Sequence, residues 1–342
     1  MLGSMRALHR FFSLLAGAAL VLPALAHADS IKLRLGTAAS LDSPWGHAFK
    51  VWKKAVEDKT SDAVSFEFYF GSTKGSETAM VDKMKAGELD GAAVTSIGLA
   101  KYDQRLLVMH LPGLMRSWKT FDAVRDEMGP TFTKWLADKK VTLVNWGDIG
   151  LVHTLSKGYA VRSPNDLVGK SPWVYADDPV VKALYGKIPG VTAFSAELMM
   201  VGSSIDSGKI DCINVPMIGA EMLQWASKFD HGVDSVGGVA VGALILSSDA
   251  LDKLPGDGKK IVLETGQIMS TSKAGLKAKL RTEDEAAWER FKARSGVQIY
   301  TPTDDDIAKW KPVFKATIDA LKGSTFDAAL VDKVVTVALA NQ

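Results

Sequence analysis

VSFEFYFGSTKGSETAMVDKMKAGELDGAAVT, residues 64–95, reads as strand, helix and strand in succession. Residues 64–70 are β-branched and aromatic, the composition of a pleated strand. Ser76 and Glu77 open a helix that runs through Ala79, Met80 and Met84 and closes at Gly87. Residues 89–95 form a short apolar strand. Upstream, residues 31–36 alternate apolar and polar, and Gly36 ends them. A helix then starts at Pro44, with Phe49, Trp52 and Val56 at three- and four-residue spacing. The order is therefore β-α-β-α-β, which predicts a mostly parallel sheet covered by helices. Such sheets bind ligands beyond the carboxyl ends of their strands. The loops after Leu35, Phe70 and Val94 should share one rim.

Downstream the alternation returns. Residues 141–146 are a strand leading into Gly147-Asp148-Ile149-Gly150. Residues 171–175, 209–214 and 239–246 are further strand candidates, and residues 179–185 are helical. This second set predicts a second lobe. Residues 255–296 lack internal proline after Pro255 and carry a helical apolar pattern. They predict a long helix, or two joined helices, bridging both lobes.

The first 28 residues predict a cleavable export signal. Arg6 and Arg10 form a positive start, residues 11–22 an apolar run, and Ala26-His27-Ala28 a small-x-small cleavage pattern. The apolar run is short for a membrane span. About 310 residues remain, enough for two lobes with a core each. The whole chain has 41 Lys+Arg and 39 Asp+Glu, and the two signal arginines remove the excess. That balance gives no electrostatic reason to expect nucleic acid as a partner. Cys212 is the single cysteine, so an intramolecular disulfide is impossible.

Catalysis needs a nucleophile, acid or base in mutual reach. The sequence has no Gly-x-Ser-x-Gly, no metal-spaced histidine pair and no phosphate loop. The expectation is a protein that is not an enzyme and takes neither cofactor nor metal.

Six segments carry a resemblance: LRLGTAASLDSPWGHAFKVW, FYFGSTKGSETAMVDKMKAGELDGA, LPGLMR, VRSPNDLVGK, DSGKIDCINVP and LSSDALDKLPGD. In this order and spacing the chain, from Ile31 to Gln298, resembles the solute-binding proteins of tripartite ATP-independent periplasmic (TRAP) transporters, the DctP type. The resemblance implies an α/β, two-lobed, type II-like periplasmic-binding-protein fold with a long interlobe helix. The lobes are expected at 29–149 with about 241–280, and at 150–240 with about 281–335. It implies a periplasmic, monomeric protein that captures a small organic molecule for TRAP permease membrane subunits. A periplasmic protein feeding a sensor kinase would have the same binding fold.

Three positions depart from the family pattern. After Asp166-Leu167-Val168-Gly169 the family places an arginine, a planar cation suited to a carboxylate; this chain has Trp173. A second arginine position is Val152, and the asparagine before the strand-ending proline is Val215. Tryptophan offers stacking area and one N–H donor, so the ligand is expected to be more apolar or aromatic than a carboxylate.

The resemblance carries over these ligand-binding positions. In the first lobe they are Thr37, Ala38, Glu77, Thr95 and Ser96. In the second they are Val152, Trp173, Tyr175, Asp177, Leu198, Met199, Asn214 and Val215. Glu77 also reads as a helix-start acid, Asp177 and Asp178 as a solvated cap before Pro179, and Met199 as core. His110 could reach the interlobe region, and His231 reads as a structural hydrogen-bonding group.

Overall fold

The computed structural model describes residues 30–271 and 275–342. The export signal read over residues 1–28 lies outside the described residues. The strands are β1 (Ile31–Thr37), β2 (Val64–Tyr69), β3 (Gly91–Thr95), β4 (Val141–Ser156), β5 (Trp173–Val174), β6 (Phe194–Ser195), β7 (Cys212–Pro216), β8 (His231–Val233), β9 (Gly238–Ser247) and β10 (Gln298–Tyr300).

β1 lies between β2 and β3 and is parallel to both, with Leu35 opposite Phe68 on one side and Gly91 on the other. The helix Pro44–Thr60 crosses from β1 to β2. Ser43 caps it by accepting the Gly46 N–H at 3.0 Å, and Pro44 fits the first turn because no N–H is needed there. Its stripe of Phe49, Trp52 and Val56 is buried. Trp52 stacks on Phe66 of β2 at 4.1 Å between ring centroids. The helix Glu77–Lys85 crosses from β2 to β3 and buries Met80 and Met84.

β9 runs antiparallel to β3 and to β4. β4 has 16 residues, which at strand rise span about 50 Å. Its first part pairs with β9 beside β3 and β1. Its last residues pair with β7, Thr154 opposite Asn214, and with β8, Ser156 opposite His231. β10 adds to β8, and the short β5–β6 pair reaches β7 through a bridge between Pro172 and Cys212. The molecule is thus two-lobed, and β4 and β9 pass together from one lobe to the other.

The strand read over residues 141–146 continues through residues 147–150, which form the middle of β4. Register shifts against β9 fall between Leu143 and Asn145 and between Asp148 and Gly150. An extra residue on one strand absorbs the glycines without ending the pairing. Gly150 has a second reason to lack a side chain: a Cβ there would collide with the Asp284 carboxylate.

Residues 255–296 hold two helices, Gly258–Thr271 and Leu276–Ala293. The segment between them includes residues outside the described ones. The first helix packs on Pro44–Thr60 and β4; the second packs on β4 and on the helix Met217–Met222.

Helix Ala328–Leu339 packs along Trp118–Ala137, and Leu330, Val331 and Val334 share one core with Phe121 and Val124. This apolar stripe is thus buried on the first-lobe side. Thr120 Oγ1 donates to the Asn341 carbonyl at 3.0 Å and ties the end down.

Candidate functional site

A cavity of about 520 Å³ opens between the lobes. On the first-lobe side it lies at the carboxyl ends of β1 and β3, where a parallel sheet leaves its loops free. Thr37 ends β1 and Ala38 follows it; Thr95 ends β3 and Ser96 follows it. The Thr37 hydroxyl accepts the Ala39 N–H at 3.1 Å.

Glu77 is buried in the first turn of its helix and faces this rim. Its carboxylate accepts the Thr95 N–H at 2.6 Å and the Thr95 hydroxyl at 2.8 Å. Burial raises its pKa, and the Thr95 bonds oppose that rise. Glu77 therefore serves both readings: it starts the helix and it joins the wall.

Ser96 Oγ lies 2.6 Å from His110 Nε2, and His110 Nδ1 lies 4.0 Å from Asp178 Oδ2. These three groups cross from the first-lobe rim to the second-lobe side of the cavity. Burial pushes the imidazole below its ordinary pKa, and Asp178 works the other way. Asp178 caps the helix Pro179–Gly186 through the Val180 and Val181 N–H groups, at 2.9 and 3.0 Å. The cap is buried rather than solvated.

The second-lobe wall is aromatic and aliphatic. Trp173 is 6% exposed and donates its indole N–H to the Ala196 carbonyl at 3.0 Å. Its ring meets Tyr175 at 4.6 Å and Trp225 edge-on at 5.6 Å. Trp173 is thus both core and cavity wall. Val152, Val215 and Leu198 line the same side. Asn214 also lines it, but its amide is engaged at both ends: Thr154 Oγ1 donates to Oδ1 at 2.7 Å and Nδ2 donates to Tyr185 Oη at 2.6 Å. Burial, then the nearby Glu77, Glu197 and Asp178 carboxylates, push the Tyr175 phenol well above its ordinary pKa. It remains a neutral hydroxyl.

Eleven of the thirteen sequence-predicted positions lie along this cavity. Asp177 and Met199 do not. Asp178 takes the cap and leaves Asp177 exposed; Leu198 turns inward and leaves Met199 61% exposed. The structure adds Asp178, Tyr185 and Trp225 to the wall, and Arg116 and Arg162 at its exposed margin. The buried part of the wall carries no guanidinium among the described residues. His231 lies off the cavity, 2.8 Å from Asp230 through Nδ1.

Chemically, the wall can enclose a molecule and stack against it. The Thr37, Ser96, Trp173, Asn214 and Glu77 polar groups are already engaged within the protein, which favours contact area over charge pairing.

The model of the DctP family, described as bacterial extracellular solute-binding protein, family 7, matches residues 35–323. A solute-binding protein of Albidiferax ferrireducens is 23% identical over 275 residues, covering 77% of this chain and 76% of that protein. The crystal structure of a sugar acid binding protein from Advenella mimigardefordensis, in complex with galactonate, superposes with a TM-score of 0.81 at 16% identity; the match covers 92% of this chain and 99% of that one. A TRAP periplasmic solute-binding protein from Shewanella oneidensis, with bound succinate, has a TM-score of 0.81 at 17% identity and covers 90% and 99%. At these identities the likeness to the solved structures establishes the two-lobed fold.

Proposed function

The chain belongs to the DctP family of bacterial extracellular solute-binding proteins, and from that premise we propose that it is the periplasmic capture component of a TRAP-type transporter, delivering its ligand to the membrane permease subunits. The supporting observation is the cavity of about 520 Å³ at the strand ends between two lobes joined by β4 and β9. That size suits a drug-sized organic molecule. Export through the segment 1–28 and a monomeric state belong to the same reading. The first lobe in this proposal is 29–149 with about 241–280 and the helix Ala328–Leu339; the second is 150–240 with the chain from about 281 to the start of that helix.

The ligand in this reading is more apolar or aromatic than the carboxylates named with the solved relatives. Trp173, Val152 and Val215 support it, since none of them can pair with an acid group. The acidic groups Glu77 and Asp178 line the cavity, and the His110 imidazole, its pKa lowered by burial, stands between Ser96 and Asp178. An anion buried there would meet carboxylates without a facing cation.

Native mass spectrometry of the protein isolated from its own host tests this. An aromatic or largely apolar adduct, recovered unchanged after release, is expected. A tightly held small dicarboxylate or sialic-acid-like anion would overturn the ligand reading, and chemical turnover of the adduct would overturn the binding reading.

A further inference from the structure

We infer that the cavity has a second, apolar chamber beyond Trp173 and Tyr175, and that this chamber takes the hydrocarbon tail of an elongated ligand. The inference rests on the capture role above and names the shape of what is captured.

The cavity wall does not stop at the aromatic pair. Its lining also includes Asn214 and Tyr185, which hydrogen-bond each other, and side chains of the helices Pro179–Gly186 and Asp304–Leu321, which pack on each other. Leu184 lines it from the first helix; Ile307, Trp310 and Phe314 line it from the second. Trp310 and Phe314 are one turn apart and stack at 5.7 Å with 23° between their planes. Val161 and Val233 lie on the same wall, buried in one cluster with Tyr185.

The two lobes close this chamber together. The Phe314 ring lies against Gly113, on the Leu111–Arg116 stretch, so closely that a Cβ at Gly113 would collide with it. Gly113 also has φ +75°, which a side chain disfavours. The stretch that carries Gly113 also supplies His110 and Arg116 to the wall. Among the described residues, the guanidinium groups along this part of the wall are those of Arg116 and Arg162, and both are exposed. Arg162 is the one that packs on an aromatic ring: its guanidinium sits over the Tyr300 ring at 4.9 Å, at the solvent margin.

Ile307, Trp310 and Phe314 are only partly buried although they face a cavity. Apolar side chains in that position gain free energy when an apolar group covers them. A chamber without buried charge, continuous with an aromatic site, fits a tail of several methylenes behind an aromatic or polar head.

The test uses phenol and 4-n-alkylphenols up to 4-n-octylphenol, with dissociation constants measured on the full chain by titration calorimetry. For the native protein, affinity should rise about three- to fourfold per methylene along the chain. Ile307→Trp fills the chamber from a partly exposed helix position, so it should flatten that rise and leave phenol binding unchanged. Leu184→Trp fills the same space from the facing helix and serves if Ile307→Trp does not fold. Octylphenol binding no better than phenol, or a rise that survives both tryptophans, overturns the chamber and leaves the central site standing. Failure of phenol itself and of every longer homologue overturns the chamber together with the aromatic-ligand reading on which it rests.

Discussion

The Asp284 carboxylate accepts the Leu151 N–H at 2.7 Å, and its other oxygen accepts the Ile218 N–H at 3.0 Å. One side chain of the helix Leu276–Ala293 thereby holds β4, where it crosses between lobes, and the start of the helix Met217–Met222. Asp284 is 3% exposed. Burial raises its pKa to about 6, with the backbone N–H bonds opposing the rise.

This gives a pH-dependent term of known sign. Between about 4 and 6 the folded chain holds the Asp284 proton and the unfolded chain has lost it. The Asp284 contribution therefore falls as pH rises through that window, by up to about 3 kcal/mol from a two-unit shift. Denaturation of the native protein and of Asp284→Asn across pH 4 to 7 measures it as a difference. The variant should gain stability relative to native as pH rises. Parallel curves would remove Asp284 as the source.

Trp173→Ala should destabilise by about 3–5 kcal/mol, because it empties a buried site packed between Tyr175 and Trp225. The structure thus predicts that stability and binding fall together. Tyr175→Phe separates them: it keeps the ring and removes the hydroxyl. Chemical denaturation should show little loss for Tyr175→Phe, within about 1 kcal/mol.

Arg281 bridges two acids, donating to Asp122 at 2.7 and 2.8 Å and to Asp148 at 2.6 Å. Asp148 is 1% exposed and also pairs with Arg125. Arg281→Ala leaves Asp148 with one partner in a buried place and should cost about 3 kcal/mol. Added salt should change that loss little, since ions screen buried pairs poorly. A loss that vanishes at high salt would mark the pair as a surface one.

Ligand binding should draw the lobes together about β4 and β9. The ligand contributes contacts to both lobes that the open form lacks, and so shifts the equilibrium toward the closed one. Solution X-ray scattering should record a smaller radius of gyration at saturation. An unchanged radius would count against hinged closure.

The β1-to-β3 half of the fold was legible because each strand and helix there keeps its own apolar period and ends at a glycine or a capping serine. β4 was legible only to Trp146. Gly147 and Gly150 interrupt the strand pattern, and only the partner strand shows that they sit in a paired, bulged ribbon. The helices Trp118–Ala137 and Asp304–Leu321 each contain a proline, Pro130 and Pro312, which interrupts the pattern that would announce them. Thr37, Ala38, Thr95 and Ser96 lie along the cavity because the parallel arrangement fixes where loops gather. Asp177 and Met199 lie off the cavity while their neighbours Asp178 and Leu198 line it, since a helix start turns one side chain inward and its neighbour out. Trp310 and Phe314 carried no signal at all: spacing shows that a helix has an apolar face, not which cavity that face meets.

The last residues are fastened where Asn341 accepts the Thr120 hydroxyl, beside a loop that lines the cavity through Met115 and Arg116. A fluorophore attached after Gln342 would therefore ride on the first lobe close to the entrance. Paired with a dye on the exposed Met199 position, beside Leu198 of the second-lobe wall, it would make a distance reporter of lobe movement that needs no change to the cavity wall.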